Sequence, residues 1–209
     1  MRGPRASMRK PRMGRSGAWS LLTLIALTVP RLASAHLVRS EAGGFASGFE
    51  HPISGLDHII AMVAVGLWGA QLGKPAIWLL PVTFPLVMAC GGFLGLIGVP
   101  LPGSEIAIAL SGVCLGAVVF SESRPPLWVA AGIVGAFGLF HGYAHGAELP
   151  PGRNPLLYSL GFVLATGLLH AAGILMGSVH HWPWGRLALR ATGAAILCGG
   201  LFFLRGALP

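Results

Sequence analysis

The chain has 209 residues, of which 54% are hydrophobic and only 10% are charged. This composition excludes a water-soluble globular protein and indicates an integral membrane protein. The formal net charge of +8 does not indicate nucleic-acid binding, because seven of the 14 basic residues precede residue 36 and all six acidic residues follow it. The rest of the chain therefore carries seven basic and six acidic residues, a formal net charge of +1.

The first 35 residues have the three parts of a secretory signal peptide. Residues 1–17 are basic, residues 18–29 form an apolar stretch too short to span a bilayer comfortably, and Ala33-Ser34-Ala35 fits the cleavage pattern. We predict cleavage after Ala35, which would place the mature N-terminus outside the cytoplasm with His36 as its first residue. An uncleaved anchor is the alternative.

Residues 36–209 are predicted to form a single domain, an all-α polytopic membrane helix bundle. Apolar stretches near the ~20 residues that cross a hydrocarbon core alternate with breaks rich in Gly and Pro. They predict six transmembrane helices at 53–72, 76–98, 104–121, 127–147, 155–178 and 186–206. Glycines at small-xxx-small spacing predict close helix packing in three of these spans: Gly91/Gly95, Gly112/Gly116 and Gly142/Gly146, with a further face at Gly132, Gly135 and Gly138.

The fourth predicted span ends in the segment FHGYAHGAE, residues 140–148. Because each helical residue advances by about 100°, His141, His145 and Glu148 point the same way within an arc of roughly 60°. Two histidines four residues apart commonly hold one metal ion on a helix face. The three side chains therefore predict ligands for a divalent transition metal ion.

The first predicted span opens with a second such segment, HPISGLDH, residues 51–58. His51 and His58 are seven residues apart and would share a face of a continuous helix. Pro52, however, favours a first helical turn and would make His51 a cap or pre-helix residue. Asp57 is suited either to bind a metal directly or to fix the tautomer of a neighbouring imidazole.

The first predicted span runs inward and the fourth runs outward. Both segments are therefore expected at the external end of the bundle. Ionisable side chains at membrane depth usually mark an ion or proton path. Seven helical residues cover about 10 Å of depth, too far for one ion whose bonds to nitrogen are about 2 Å long. We therefore predict an outer station and a deeper cluster: His51 with Glu148, and Asp57 with His58, His141 and His145.

These two segments resemble the signature motifs of the HupE/UreJ family, and the resemblance covers essentially the whole mature chain. It implies a secondary permease for Ni²⁺, in some members Co²⁺, in the bacterial inner membrane, which supplies hydrogenase or urease. It also implies a signal peptide, a periplasmic mature N-terminus and no enzymatic activity. Ni²⁺ would then be the transported ion rather than a prosthetic group. The metal-binding residues carried over are His51, Asp57, His58, His141, His145 and Glu148.

The expected partners are a divalent metal ion and the lipid bilayer, with a second copy of the chain as an open alternative and no nucleic acid. The sequence has no ATP-binding G-x-x-x-x-G-K-[ST] motif, so uptake would be facilitated diffusion or driven by a gradient. Acidification should weaken such uptake, because a protonated imidazole cannot bind a metal.

Other functions stay open. An intramembrane protease would need H-E-x-x-H or G-x-S-x-G, and neither occurs. A haem-binding subunit of a hydrogenase would need paired axial histidines at mid-membrane depth, and chains of His and Asp also relay protons. His170 is either a further ligand on the ion path or a hydrogen-bonded contact between helices. His36, as the first residue after cleavage, would offer an amine and an imidazole to a metal ion.

Overall fold

The computed structural model describes residues 44–149, 152 and 154–208, which belong to one compact unit, Glu41–Pro209. The prediction of an all-α fold is confirmed for these residues, which form helices joined by short breaks and contain no strand. The predicted signal peptide at 1–35, its cleavage site and His36 lie outside the described residues.

Along the described residues, helices follow one another with short connections, and we number them in chain order. The helices are α1 (Gly44–Ser54), α2 (Leu56–Leu72), α3 (Ala76–Leu96), α4 (Ser104–Phe120), α5 (Leu127–Ala147), α6 (Pro155–Gly177), a 3₁₀ turn (Ser178–His181) and α7 (Pro183–Ala207). Each of the six predicted spans coincides with one helix from α2 to α7, and the ends differ by at most three residues.

The helices α3, α5, α6 and α7 are each long and apolar enough to cross a membrane. The pair α1 and α2 passes the same test only if the two helices are taken as one broken span, and α4 is apolar but shorter, with 17 residues. By length and composition, the described residues thus contain four spans, or five with the bent pair, where the sequence predicts six. These helices make the chain a multi-pass membrane protein.

The first predicted span differs most from its prediction. Residues 44–54 form a separate helix, and α2 begins only after Gly55, so the two axes meet at 81°. Gly55 has an extended conformation, with φ −96° and ψ 115°, which ends the helical path. Pro52 lies inside α1, so His51 is a helical residue of α1 and not a cap of α2.

Helix α2 lies at the centre of the bundle, in contact with α3, α4, α6 and α7. Several of its apolar side chains are completely buried, among them Met62, Leu67 and Trp68. The outer helices instead expose large apolar side chains, such as Trp128 at 77% and Phe202 at 74%. Lipid tails are as apolar as these side chains, so such a surface suits a bilayer and not water.

Two polar side chains near the far end of α2 donate hydrogen bonds to backbone groups around the end of α4. The Trp68 indole donates to the carbonyl of Ser123 at 3.0 Å, and the Gln71 amide donates to the carbonyl of Val119 at 3.1 Å. A polar group without a partner is costly in a hydrocarbon environment. These two bonds therefore fix α2 against α4 at the end of the bundle opposite the two histidine segments.

Glycine allows three helix pairs to pack with their backbones in contact: α3 with α5, α4 with α7, and α2 with α6. On α3, a Cβ at Gly91 would collide with the carbonyl of Leu139, and one at Gly95 with the carbonyl of Tyr143. Contacts advance together along α3 and α5, so this pair is parallel.

The predicted packing role is confirmed for most of the glycines but not for all. A Cβ would meet backbone atoms of a neighbouring helix at the following positions: Gly91, Gly95, Gly112, Gly116, Gly138, Gly142 and Gly146. Gly135 would meet only side-chain methyl groups, and Gly132 has no described atom within 4 Å of its Cβ position. The predicted packing face therefore does not include Gly132, which points away from α3.

Candidate metal site

The break between α1 and α2 positions the first histidine segment. Gly55 precedes α2, and the Asp57 carboxylate accepts a hydrogen bond from the backbone N–H of His58 at 2.9 Å. A carboxylate in the first turn of a helix also meets the positive end of the helix dipole. His58 is thereby held in the first turn of α2, where it is buried, while His51 reaches the same region from α1.

The second segment occupies the last two turns of α5. His141 is 1% exposed, and its Nδ1 donates to the carbonyl of Phe137 at 3.0 Å. A carbonyl oxygen only accepts, so the proton of the ring lies on Nδ1 and the Nε2 lone pair is free. His145 follows one turn later, and Glu148 ends the helix as its C-cap.

The two segments meet at one end of the bundle through three imidazoles. His51 Nε2 lies 2.8 Å from His145 Nδ1, and His145 Nε2 lies 3.3 Å from His58 Nδ1. The ring of His141 adjoins that of His58, with centroids 5.4 Å apart. Four imidazoles from α1, α2 and α5 therefore form one contiguous cluster.

Glu148 adds a carboxylate to the outer side of this cluster. Its Oε2 lies 3.6 Å from His51 Nε2. One ligand atom each from His51, His145 and Glu148 lie within 4.8 Å of one another, an arrangement that suits a single metal ion. Two nitrogens and one carboxylate oxygen are a ligand set for borderline divalent ions such as Ni²⁺, Co²⁺ and Zn²⁺.

The structure divides these residues between an outer station and a deeper cluster differently from the prediction. His145 was expected in the deeper cluster, but the structure places it between the levels, in contact with His51 above and His58 below. The 81° bend explains the difference, because it folds α1 across the end of α5 and brings His51 beside His145. Asp57 is engaged at the helix N-terminus and is not part of the three-residue group.

All six predicted residues nevertheless line a single open cavity of about 710 Å³, which we call the vestibule. Glu105, which the sequence analysis does not assign to the site, also lines this cavity, from the first turn of α4. Arg205 of α7 lines it as well. Three carboxylates against one guanidinium give the vestibule a negative field that attracts cations.

Residues of α6 close the cluster from the side opposite the vestibule. Thr166 Oγ1 lies 3.5 Å from His58 Nε2, and the Phe162 ring lies 4.6 Å from the His145 ring and 5.3 Å from the His58 ring, centroid to centroid. Sequence reasoning did not assign Thr166 or Phe162 to the site. The available signal was a hydroxyl residue one turn before His170, on the same helix face.

Comparisons with known proteins show the family of the chain. A family model described as HupE / UreJ protein matches residues 24–203. Protein HupE from Rhizobium leguminosarum bv. viciae is 46% identical over 184 residues, which cover 88% of this chain and 96% of that relative. No solved structure matches the chain significantly. The match of the family model across most of the sequence shows that the chain belongs to the HupE / UreJ family.

Proposed function

We propose that the chain is a secondary permease that moves Ni²⁺, with Co²⁺ as a second cargo, across the bacterial inner membrane to supply nickel metalloenzymes. The observation that carries the proposal is the meeting of His51, His58 and His145 with Glu148 at one end of an apolar helix bundle. Groups of this kind are costly in a membrane protein and are typical of ion paths. We assign the chain no catalytic role.

The proposal includes six spans after a cleaved signal peptide at 1–35, with the vestibule facing the periplasm. Helix α4 has 17 residues, so it is about 26 Å long, close to the ~30 Å of a hydrocarbon core. Helix α2 has the same length and is surrounded by protein, which relaxes the requirement that it match the lipid thickness. Six crossings would return the C-terminus to the periplasm.

Capture of the ion takes place at the outer group, which is formed by His51, His145 and Glu148. Without an ion, the two imidazoles share a hydrogen bond of 2.8 Å between their nitrogens. Two adjacent ligands at 90° on a square-planar or octahedral ion, each about 2.0–2.1 Å from it, have nitrogens about 2.9 Å apart. A small movement of His51 is therefore enough to make room for a metal ion in place of the shared proton. The proton would move to the other nitrogen of its ring or to water, and the ion would lose part of its hydration shell.

Transfer inward follows from the position of His145. This ring touches His51 through one nitrogen and His58 through the other, so it can face either neighbour. The deeper rings of His58 and His141 have one carboxylate beside them, Asp57, and one of its oxygens already accepts a hydrogen bond from the backbone N–H of His58. Binding that weakens along the path allows an ion to leave as well as to enter.

One rival function has a structural observation in its favour. The order His51, His145, His58, Thr166, with contacts of 2.8, 3.3 and 3.5 Å, is a chain along which a proton can move. A haem is disfavoured, because imidazoles already in hydrogen-bond contact leave no room for a porphyrin plane between them.

The test is uptake of ⁶³Ni²⁺ by proteoliposomes that contain the purified chain and a trapped chelator, with a pH-sensitive dye in a parallel sample. We expect saturable Ni²⁺ uptake that excess Co²⁺ competes with strongly. Excess Mg²⁺ should compete weakly, because Mg²⁺ prefers oxygen ligands and keeps its water. Uptake equal to that of protein-free vesicles would contradict the permease function. A dye response without Ni²⁺ uptake would favour the proton relay instead.

A further inference from the structure

Two imidazoles in the interior have nitrogens without hydrogen-bond partners. Among the described residues, neither nitrogen of His170 is hydrogen-bonded, and the same holds for Nε2 of His141. His170 is 2% exposed and His141 is 1% exposed. The carbonyl of Pro81 lies beside the His170 ring but does not meet hydrogen-bond geometry. A contact between helices, here with this carbonyl of α3, and a place on the ion path are the two roles predicted for His170.

An unsatisfied buried polar group costs about 1–3 kcal/mol, and native proteins contain few of them. Three such nitrogens, one on α5 and two on α6, require a reason. An apolar side chain would fill the place of His170 at lower cost if packing alone were needed. A ligand that is present only part of the time explains why the nitrogens are kept free.

His141 belongs to the histidine cluster, and His170 lies on the inward continuation of that cluster. His58 reaches Thr166 at 3.5 Å, and His170 follows Thr166 by one turn on the same face of α6, about 6 Å further along the axis. Helical side chains tilt toward the N-terminus, so the His170 ring leans back toward Thr166. From the other side, the Phe84 ring contacts both imidazoles, with centroids 5.4 Å from His141 and 5.7 Å from His170.

We propose that His141 and His170, together with the hydroxyl of Thr166, form an inner station that receives the divalent cation after it leaves His58. This inference rests on the proposed permease function and names the next binding point of the same path. His170 lies 15 residues after the first residue of α6, about 22 Å along the helix, so the inner station lies beyond the middle of the bilayer.

The ligand set of the inner station suits its place on the path. The outer group contains the carboxylate of Glu148, whereas the inner station offers two neutral imidazoles and a hydroxyl. Fewer charged ligands bind a dication more weakly, so the ion is released toward the cytoplasm and not held there. The nitrogen-rich set still selects a borderline transition metal over Mg²⁺ or Ca²⁺.

The test compares His170→Leu and His170→Cys with the wild type in ⁶³Ni²⁺ proteoliposomes, with equal amounts of protein. Both variants should bind Ni²⁺ at the outer group with unchanged affinity in detergent, because that group is left intact. We expect His170→Leu to lower the rate of Ni²⁺ uptake by about tenfold or more. His181→Leu, which changes an exposed histidine at the end of the 3₁₀ turn, is the matched control and should transport like the wild type.

His170→Cys separates a ligand from a packing residue. A thiolate still binds metals but favours softer ions. His170→Cys should therefore take up Ni²⁺ faster than His170→Leu and transport a higher ratio of Zn²⁺ to Ni²⁺ than the wild type. A ratio equal to that of the wild type, or His170→Leu transport within twofold of the wild type, would overturn the inner station and leave the permease function standing. Absence of Ni²⁺ uptake by the wild type would overturn the proposed function, and the inner station with it.

Discussion

Replacement of His145 by alanine is expected to reduce ⁶³Ni²⁺ uptake by about 100-fold, close to the level of cells without the protein. His145 is the ring that contacts both His51 and His58, so its loss breaks the outer group and its link to the deeper rings at once. The measurement is initial uptake by nickel-transport-deficient cells, normalised to the amount of the protein in the membrane.

The matched control for this variant is His181→Ala. It also replaces a histidine by alanine, but at an exposed position in the 3₁₀ turn, outside the cluster. Its uptake should equal that of the wild type. Equal uptake by His145→Ala and His181→Ala would show that the cluster does not carry the ion.

Gly142→Ala is expected to lower the melting temperature of the purified protein by roughly 2–12 °C, through a loss of about 1–3 kcal/mol. The added Cβ would collide with the backbone carbonyl of Met88, so α5 has to move away from α3. Because Gly142 adjoins His141, that movement should also reduce Ni²⁺ uptake. The measurement is thermal unfolding in one detergent, followed by the loss of monodisperse protein.

Gly132→Ala controls for this change on the same helix. Its added Cβ meets no described atom within 4 Å, and alanine favours a helix over glycine by about 1 kcal/mol. Its melting temperature should therefore stay the same or rise. A fall of equal size in both variants would mean that the contact between α3 and α5 is not what holds the site in place.

The positions of the helices could be predicted because the chain marks them with strong local signals. Long apolar stretches set helices α3 to α7, and Gly/Pro breaks such as Gly73-Lys74-Pro75 separate them. The i,i+4 spacing of His141 and His145 places both rings on one face of α5 through helix geometry alone. Local sequence therefore carries the element positions and half of the candidate site.

The arrangement between helices could not be predicted in the same way, because it depends on packing. The apolar periodicity of the sequence does not distinguish one continuous helix over residues 44–72 from two helices with a sharp bend at Gly55. The bend brings His51 into contact with His145. Likewise, His170 lies 112 residues from His58 in sequence. Only the parallel packing of α2 on α6 brings Thr166, one turn before His170, against the His58 ring.

If the proposed function holds, the charge distribution explains how a strongly apolar protein can still take up a cation. Asp57, Glu105 and Glu148 surround the vestibule, while the interior beyond it offers only neutral imidazoles and a hydroxyl. The field of the carboxylates acts on a hydrated ion outside the membrane, where it raises the local concentration. Imidazole nitrogens would then supply the selectivity for a transition metal.

The central claim is that histidines from two separate segments bind the same ion, and a double-mutant cycle of Ni²⁺ affinity tests it most directly. Calorimetry on the purified wild type, His51→Ala, His145→Ala and the double variant gives the four affinities. If both rings bind one ion, each single variant should lose about tenfold and the double variant little more, a coupling of at least about 1 kcal/mol. Losses that multiply in the double variant, or single variants that bind like the wild type, would contradict a shared site.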